Sequence, residues 1–476
     1  MRERSLAKRM TTMKPALLIP VENQVRELDA KLLLACIAAR KGIPCIIGPK
    51  RDIESRITSF PRSIFLSKSL RIGKRKFFPI ARQLGHEIVA WDEEALVHLP
   101  PETYFTRRLS PVGMEHVSHL FAWGEDNAEL WRQYSKLPSG MPIHVTGNPR
   151  GDLLRPDTRV FYEKDAEEIR NAYGNFILIN TNFNHVNAFY PAQNLFQPSE
   201  NPDEEARFGQ AARGMTREYA EGLRDHKQAI FKDFLHFIPA LEKSFPEYNI
   251  VVRPHPTENQ QVYSGVAAGC QRVQVTNTGN VVPWLMATRA LLHNGCTTGV
   301  EAYIMRVPAI SFRATVNDYY DDGFYQLPNR LSHQCFDFEE LKDTLARILS
   351  GEQGAADGAE RKILIDHHVA AQDGPLACER IVGVLTKIAG DMVQLPEPAL
   401  GDRLAGRLKA THRRIRQRYK AYLPGSLKSM AFQRHRYPAI TPGEVADRLS
   451  RFEQILGYER ELHLLAISST LFRISA

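Results

Sequence analysis

The feature that most constrains this chain is a repeated alternation. Short runs rich in Leu, Ile and Val are each followed by a segment with apolar residues at helical spacing. Parallel strands need a long crossover, so runs of this length joined through helices are the mark of βαβ units. The first run is Ala16 to Pro20, followed by a helix from Glu27 to Arg40, and then come Ile43 to Gly48, Ser63 to Ser67, His86 to Ala90, Val117 to Ala122 and Ile143 to Thr146. The basic segment Lys74 to Leu84 reads as helical after Pro79. Together these make one doubly wound domain. Turn chemistry at Gly147-Asn148-Pro149-Arg150-Gly151 marks a crossing, and the pattern restarts at Phe176 to Asn180. It continues through Asn249 to Arg253, Val273 to Val275, Ala290 to His293 and Ala309 to Phe312. The expected fold class is α/β, with Rossmann-like domains over residues 14–150 and 151–390 and a basic helical extension over 391–476.

Two segments depart from the alternation. About 45 residues from Phe183 to Arg224, rich in Asn, Pro, Gly and charge, precede a helix expected from His226 to Phe245. A stretch of that length without secondary structure reads as a lid or binding loop. The second departure is basic: residues 402–436 hold eleven Lys+Arg against one acidic residue, broken by Pro424-Gly425, and Thr441 to Ala476 reads as one or two short amphipathic helices. The net charge of +8 divides as +4 in residues 1–14, +10 in 402–436 and −1 in 437–476, which leaves −5 for the remainder. The body is thus acidic and the basic excess belongs to its ends. A polybasic segment is attracted to anionic lipid, so residues 402–436 suit a peripheral contact with an anionic membrane surface; a solvated helical face is the alternative.

Other classes are set aside. No apolar run reaches the roughly 18 to 20 residues of a membrane-spanning helix, and Ala16 to Val21, behind Arg2, Arg4, Lys8 and Arg9, is too short for a secretory segment. The six cysteines form no Cys-x-x-Cys pair, as expected for a reducing cytoplasm. Apart from Tyr419 and Tyr422 the basic segment lacks interleaved aromatics, so no nucleic-acid partner is expected.

In open α/β sheets ligands bind at the carboxyl ends of strands. After the 249–253 run comes Arg253-Pro254-His255-Pro256-Thr257-Glu258, where two prolines fix the backbone about His255 and Arg253 adds a permanent charge. The pair suits a phosphate; a rigid turn whose His caps a helix is the bland alternative. After the 290–293 run comes Asn294-Gly295-Cys296-Thr297-Thr298-Gly299-Val300-Glu301. A hydroxyl-rich turn opening a helix is a ready anion site, and Glu301 is placed to accept from a ribose diol. Ordinary N-capping by Thr297 or Thr298 is the alternative. Neither dinucleotide nor Walker spacing is present. After the first strand, Glu22 or Glu27 is a candidate acid/base, with Arg26 beside them, or else an acidic helix start. Asn180 and Asn182 close the strand that opens the second domain and are expected to line the cleft. Asp225 is a candidate second carboxylate or a helix N-cap.

These residues resemble bacterial surface-carbohydrate biosynthesis proteins of the GT-B glycosyltransferase architecture, in which two Rossmann-like domains face a cleft. The matching pieces are Pro20-Val21-Glu22 with Arg26 to Asp29, Val145 to Arg150, Asn180 to Phe183, Arg253 to Glu258, Gly295 to Ala302 and Leu327-Pro328-Asn329, within residues 14 to 390. The His-Pro pair with a hydroxyl-rich loop is similar to that of sialyl- and Kdo-transferases, where it holds the phosphate and ribose of a CMP-sugar. Similar loops occur in non-hydrolysing UDP-N-acetylglucosamine 2-epimerases and CDP-glycerol polymerases. The resemblance implies a nucleotide-sugar donor, CMP-linked by preference, bound by Arg253, His255, Asn294, Thr297, Thr298, Gly299 and Glu301. It further implies a glycan or lipid-linked acceptor and no metal or other cofactor; the resemblance assigns no catalytic carboxylate, and Glu22, at the end of the first strand, is the first choice of base. Asp225 enters as nucleophile if configuration is retained. The expected activity is glycosyl transfer to a lipopolysaccharide or capsular glycan. A nucleotide-sugar 2-epimerase and a membrane-associated non-catalytic adaptor are the alternatives.

Overall fold

The central runs, such as Ala16–Val21, Ser63–Ser67, Phe176–Asn180 and Ala290–His293, are buried on both faces, as strands covered by helices on either side must be. The computed structural model describes residues 15–476 except 99, 199–204, 322–325, 424–425, 427 and 459–461. The chain divides into two units. The first holds the described residues up to Leu96, Pro101–Phe161 and Asp366–Ala476, and the second Val97–Pro100 and Tyr162–Ile365. The basic residues of 1–14 lie outside the described residues.

In the first unit β1 (Ala16–Val21), β2 (Cys45–Pro49), β3 (Ser63–Ser67), β4 (Glu87–Ala90), β5 (His119–Ala122) and β6 (Ile143–Val145) are parallel. Their order in space, β2-β1-β3-β4-β5-β6, reverses between β1 and β3. The second unit contains β7 (Phe176–Asn180), β8 (Asn249–Arg253), β9 (Val273–Val275), β10 (Ala290–His293), β11 (Ala309–Phe312) and β12 (His333–Cys335). All are parallel, in the order β9-β8-β7-β10-β11-β12. That is the doubly wound arrangement with its switch point between β7 and β10. The fold is α/β with two Rossmann-like domains. Only β12 among these strands is absent from the sequence reading, since His333-Gln334-Cys335 contains no apolar run.

The segment read as a structureless loop has its own small core. Leu195, Phe196 and Ala212 pack with Ala220 and Leu223, while Arg217 lies over the rings of Phe196 and Phe208. The following helix starts at Arg217, with Thr216 accepting from Tyr219 N, and runs to Ser244. Its Phe234, Phe237, Ile238 and Leu241 share one core with Ile179, Ile250, Val252 and Ile310.

The tail differs more. From Asp366 onward the chain belongs to the first unit, where helix Ala377–Gln394 is anchored by the Asp152 carboxylate, which accepts from Ala377 N at 2.7 Å and Cys378 N at 2.8 Å. Neither the boundary read at 150 nor that read at 390 divides the units. The last residues are not helical throughout: helix Pro442–Ile455 is followed by a hairpin of β13 (His463–Ala466) and β14 (Phe472–Ser475). β14 pairs antiparallel with β2 and so completes the first sheet, with Phe472 and Ile474 buried. Phe472-Arg473-Ile474-Ser475 alternates apolar and polar as a strand does. Among the described residues no helix is long and apolar enough to cross a membrane.

Candidate functional site

β7 and β10 lie side by side with Asn180 in register with His293. Beyond β10 the chain turns through Asn294 to Thr297 into helix Thr298–Met305. Gly295 takes φ 90°, a conformation that favours glycine, and its N–H donates to His293 Nδ1 at 3.0 Å. His293 is fully buried; burial, with Arg313 nearby, pushes its pKa down to about 3. The neutral ring therefore donates from Nε2 to Ser332 Oγ at 2.8 Å, and the Ser332 hydroxyl donates to Pro328 O at 2.8 Å. Gly299 lies against the same ring, where a Cβ would sit 2.5 Å from His293 Nε2. Its N–H already donates to Cys296 O at 3.0 Å. Gly299, read from sequence as an anion ligand, is thus a packing residue that lets the helix approach β10.

Around this turn polar side chains are buried without hydrogen-bond partners among the described residues. Asn294 is 3% exposed and neither its Oδ1 nor its Nδ2 is bonded; Thr298 Oγ1 and Asn180 Oδ1 are in the same state. Leaving a buried polar group unsatisfied costs about 1–3 kcal/mol. Three side chains in that condition stand together at one sheet's switch point. Thr297 stands at the N-cap yet makes no cap hydrogen bond, and the helix presents its positive end there. Glu301 is buried one turn further in. The structure thus gathers Asn180, Asn294, Thr297, Thr298 and Glu301 in one place.

The turn after β8 is organised by Glu258, which is fully buried. Its carboxylate accepts from Thr181 Oγ1 at 3.0 Å, Tyr263 Oη at 2.5 Å and His255 N at 3.0 Å. Burial pushes its pKa up to about 6. Glu258 thereby joins the turn after β7, which contains Asn182, half-buried, to the turn that carries His255. His255 Nδ1 accepts from Thr257 N at 3.3 Å, which leaves the ring proton on Nε2. Arg253 is placed otherwise than expected. Its two terminal nitrogens donate to Thr278 O at 2.7 Å and Gly279 O at 3.1 Å, and its guanidinium stacks over Trp284. Burial pushes its pKa down to about 9. Arg253 braces the loop after β9 and is not aimed at a phosphate.

In the first unit the switch point between β1 and β3 is occupied by a cluster of ion-paired side chains. Glu22, just past β1, pairs with Lys68 at 3.0 Å, Lys50 at 3.4 Å and Arg436 at 2.8 Å. Burial opposes its charge, but Lys68, Lys50 and Arg436 together hold its carboxyl well below the usual range. Glu27 is buried and accepts from Lys31 at 2.7 Å, Lys68 at 2.5 Å and the amides of Glu22 and Asn23 at 2.9 and 3.2 Å. Arg26 pairs with Glu94 at 3.3 Å. A carboxylate held as low as Glu22 is a weak base at neutral pH, which counts against its expected role. Asp225 is neither a loop end nor an N-cap: it lies inside helix Arg217–Ser244, exposed, paired with Arg224 at 2.8 Å.

Several residues were missed by the sequence reading. Lys68 and Arg313 each stand directly after a strand, so the strand-end rule points to both. Arg313 borders a cavity of about 460 Å³ with Asp321, Gln326, Asn329 and Arg330. Asp321 pairs with His226 at 2.8 Å and with Arg313 at 3.4 Å. No sequence pattern links residues this far apart.

No protein-family model and no curated protein matches the sequence. Solved structures similar in backbone are remote. The UDP-GlcNAc 2-epimerase from Methanocaldococcus jannaschii is 12% identical, with 79% of this chain and 100% of that chain covered and a TM-score of 0.47. The wall teichoic acid polymerase TagF is 10% identical over 82% of this chain and 95% of its own, with a TM-score of 0.49. The UDP-GlcNAc 2-epimerase from Neisseria meningitidis, bound to UDP-GlcNAc, is 13% identical over 79% and 100%, with a TM-score of 0.45. The fold assignment rests on the strand orders of the chain's own two sheets.

Proposed function

We propose that the chain is a glycosyltransferase of GT-B architecture that moves a sugar from a nucleotide donor, a CMP-activated ulosonic acid by preference, to a lipopolysaccharide or capsular glycan. The observation that carries this reading is the set of unsatisfied buried groups, Asn180, Asn294 and Thr298, at the switch point of a doubly wound sheet. Nucleotides bind at that point of such sheets because strand-end turns and helix N-termini converge there. In this reading the Thr297–Thr298 helix end stabilises the departing phosphate, His255 donates to it from Nε2, and Glu301 accepts from the ribose. Arg253 holds the adjoining loop. No metal is assigned, and the acceptor's base is left to a group other than Glu22 or Asp225, whose settings do not suit it.

A nucleotide-sugar epimerase is the second reading. It is favoured by one observation, the three cations that hold Glu22 too acidic to deprotonate an acceptor efficiently. Incubating the intact protein with CMP-, UDP- and CDP-linked sugars, with and without a glycan acceptor, separates the two. Transfer that depends on acceptor supports the first reading. Epimerised nucleotide-sugar formed without acceptor overturns it.

A further inference from the structure

We propose that helix Leu400–Ala421 is an in-plane anchor that inserts an apolar stripe into an anionic lipid bilayer. This goes beyond the catalytic reading and does not depend on it. The helix is held to the first unit by one face only: Gly406 is buried, a Cβ there lying 3.2 Å from Leu84, and Arg413 reaches Glu54 while stacking over Phe77. The opposite face is apolar and open. Leu400, Leu404, Leu408, Ile415 and Tyr419 are 65%, 51%, 73%, 62% and 69% exposed, and Tyr422 at the C-cap continues the line. At 3.6 residues per turn these six fall within an arc of about 100°, which also takes in Thr411 and, at its edge in line with Leu400, Arg418. A monomer in water gains nothing from an apolar stripe about six turns long turned away from its own core.

The borders of the stripe identify the occupant. Arg407, Arg414 and Arg418 run along one side and Arg416 and Lys420 along the other, all exposed, and none pairs with an acidic group among the described residues. Within 402–436 only Asp402 is acidic. A second copy of this helix would set one cationic border against another, so self-association is disfavoured. An anionic bilayer answers both features, since acyl chains receive the stripe and headgroup phosphates meet the two rows of cations. Tyr419 and Tyr422 have the amphipathic rings that settle at such an interface.

The test is sedimentation of the intact protein with phosphatidylcholine vesicles, with and without phosphatidylglycerol. The wild-type chain should bind the anionic vesicles about tenfold or more tightly than the neutral ones. The triple variant Leu404→Gln, Leu408→Gln, Ile415→Gln should keep its melting temperature, because these side chains face away from the fold. It should lose about tenfold in vesicle affinity at about 0.15 M salt, where charge alone is screened. The proposal is overturned if the wild-type chain stays in solution with anionic vesicles, or if the triple variant binds as well as wild type, which would leave charge alone at work. It is equally overturned if sedimentation velocity shows a wild-type dimer that the triple variant abolishes, which would make the stripe a protein interface.

Discussion

Asn180 and His293 are register partners on β7 and β10, the two strands between which the second sheet reverses its order. His293 is fully occupied by Gly295 and Ser332, whereas Asn180 Oδ1 and polar atoms of the neighbouring Asn294 and Thr298 have no partner among the described residues. One strand end is thus internally satisfied and the turn beside it is not. That contrast makes a functional prediction separable from a structural one. Thr298→Val keeps shape and removes a buried hydroxyl that has no partner among the described residues, so stability in urea should hold or rise by up to about 1 kcal/mol. Nucleotide affinity by calorimetry should fall about tenfold, the loss of one good hydrogen bond. A destabilised variant with unchanged affinity would mean that the hydroxyl serves the fold.

The ionic cluster of the first unit predicts acid sensitivity. Glu22 and Glu27 have pKa values below the ordinary range in the folded chain, so below about pH 4.5 the unfolded state binds protons that the folded state does not. Their contribution is complete above that pH and lost as pH falls further. Lys68→Met leaves Glu27 buried with one cation fewer and should cost about 3–5 kcal/mol at neutral pH. Urea denaturation across pH should show a flatter acid limb in the variant.

Glu258 predicts the opposite slope. Its folded pKa is raised to about 6 by burial, so the folded state holds the proton longer than the unfolded state. Its ionisation then lowers stability as pH rises from about 4.5 to about 6, by roughly 2 kcal/mol. Glu258→Gln should abolish that slope, measured by urea denaturation at several pH values. It should also loosen the His255 turn, whose amide loses a charged acceptor.

Ending the chain before Leu462 removes β13 and β14 and bares β2, whose Ile46 and Ile47 are buried. The burial of Phe472 and Ile474 is worth about 1.5–3 kcal/mol for each side chain. The truncated chain should melt earlier and aggregate through the open strand edge, as differential scanning calorimetry and light scattering would show. Loss of activity on deleting the tail would therefore report folding of the first unit.

The strands were legible in the sequence because burial on both faces demands unbroken apolar runs, as in Phe176 to Asn180. The strand-end rule likewise pointed to Asn180, His255, Asn294 and Thr298, which do stand at the ends of β7, β8 and β10. What it could not find was the use each side chain is put to. Arg253 has the charge for a phosphate but spends both terminal nitrogens on Thr278 and Gly279, residues about 25 positions away. Glu22 sits at a strand end, yet Arg436, from the far end of the chain, helps hold it ionised. The helix containing Asp225 began earlier than its apolar period suggested because Leu195 and Phe196 pack on its first turns. The hairpin that closes the first sheet was hidden because its first strand, His463–Ala466, does not alternate, and the partner of Phe472–Ser475, β2, lies more than 400 residues away.

The central claim, that a nucleotide-linked donor binds at the β7–β10 switch point, is tested most directly by calorimetric titration with CMP, UDP and CDP. The intact protein should be compared with a variant carrying Asn294→Ala and Thr298→Val. The account predicts that at least one nucleotide binds the wild-type chain and that the double variant binds it about a hundredfold more weakly while melting at or above the wild-type temperature. Binding of no nucleotide, or equal binding by both proteins, would contradict it.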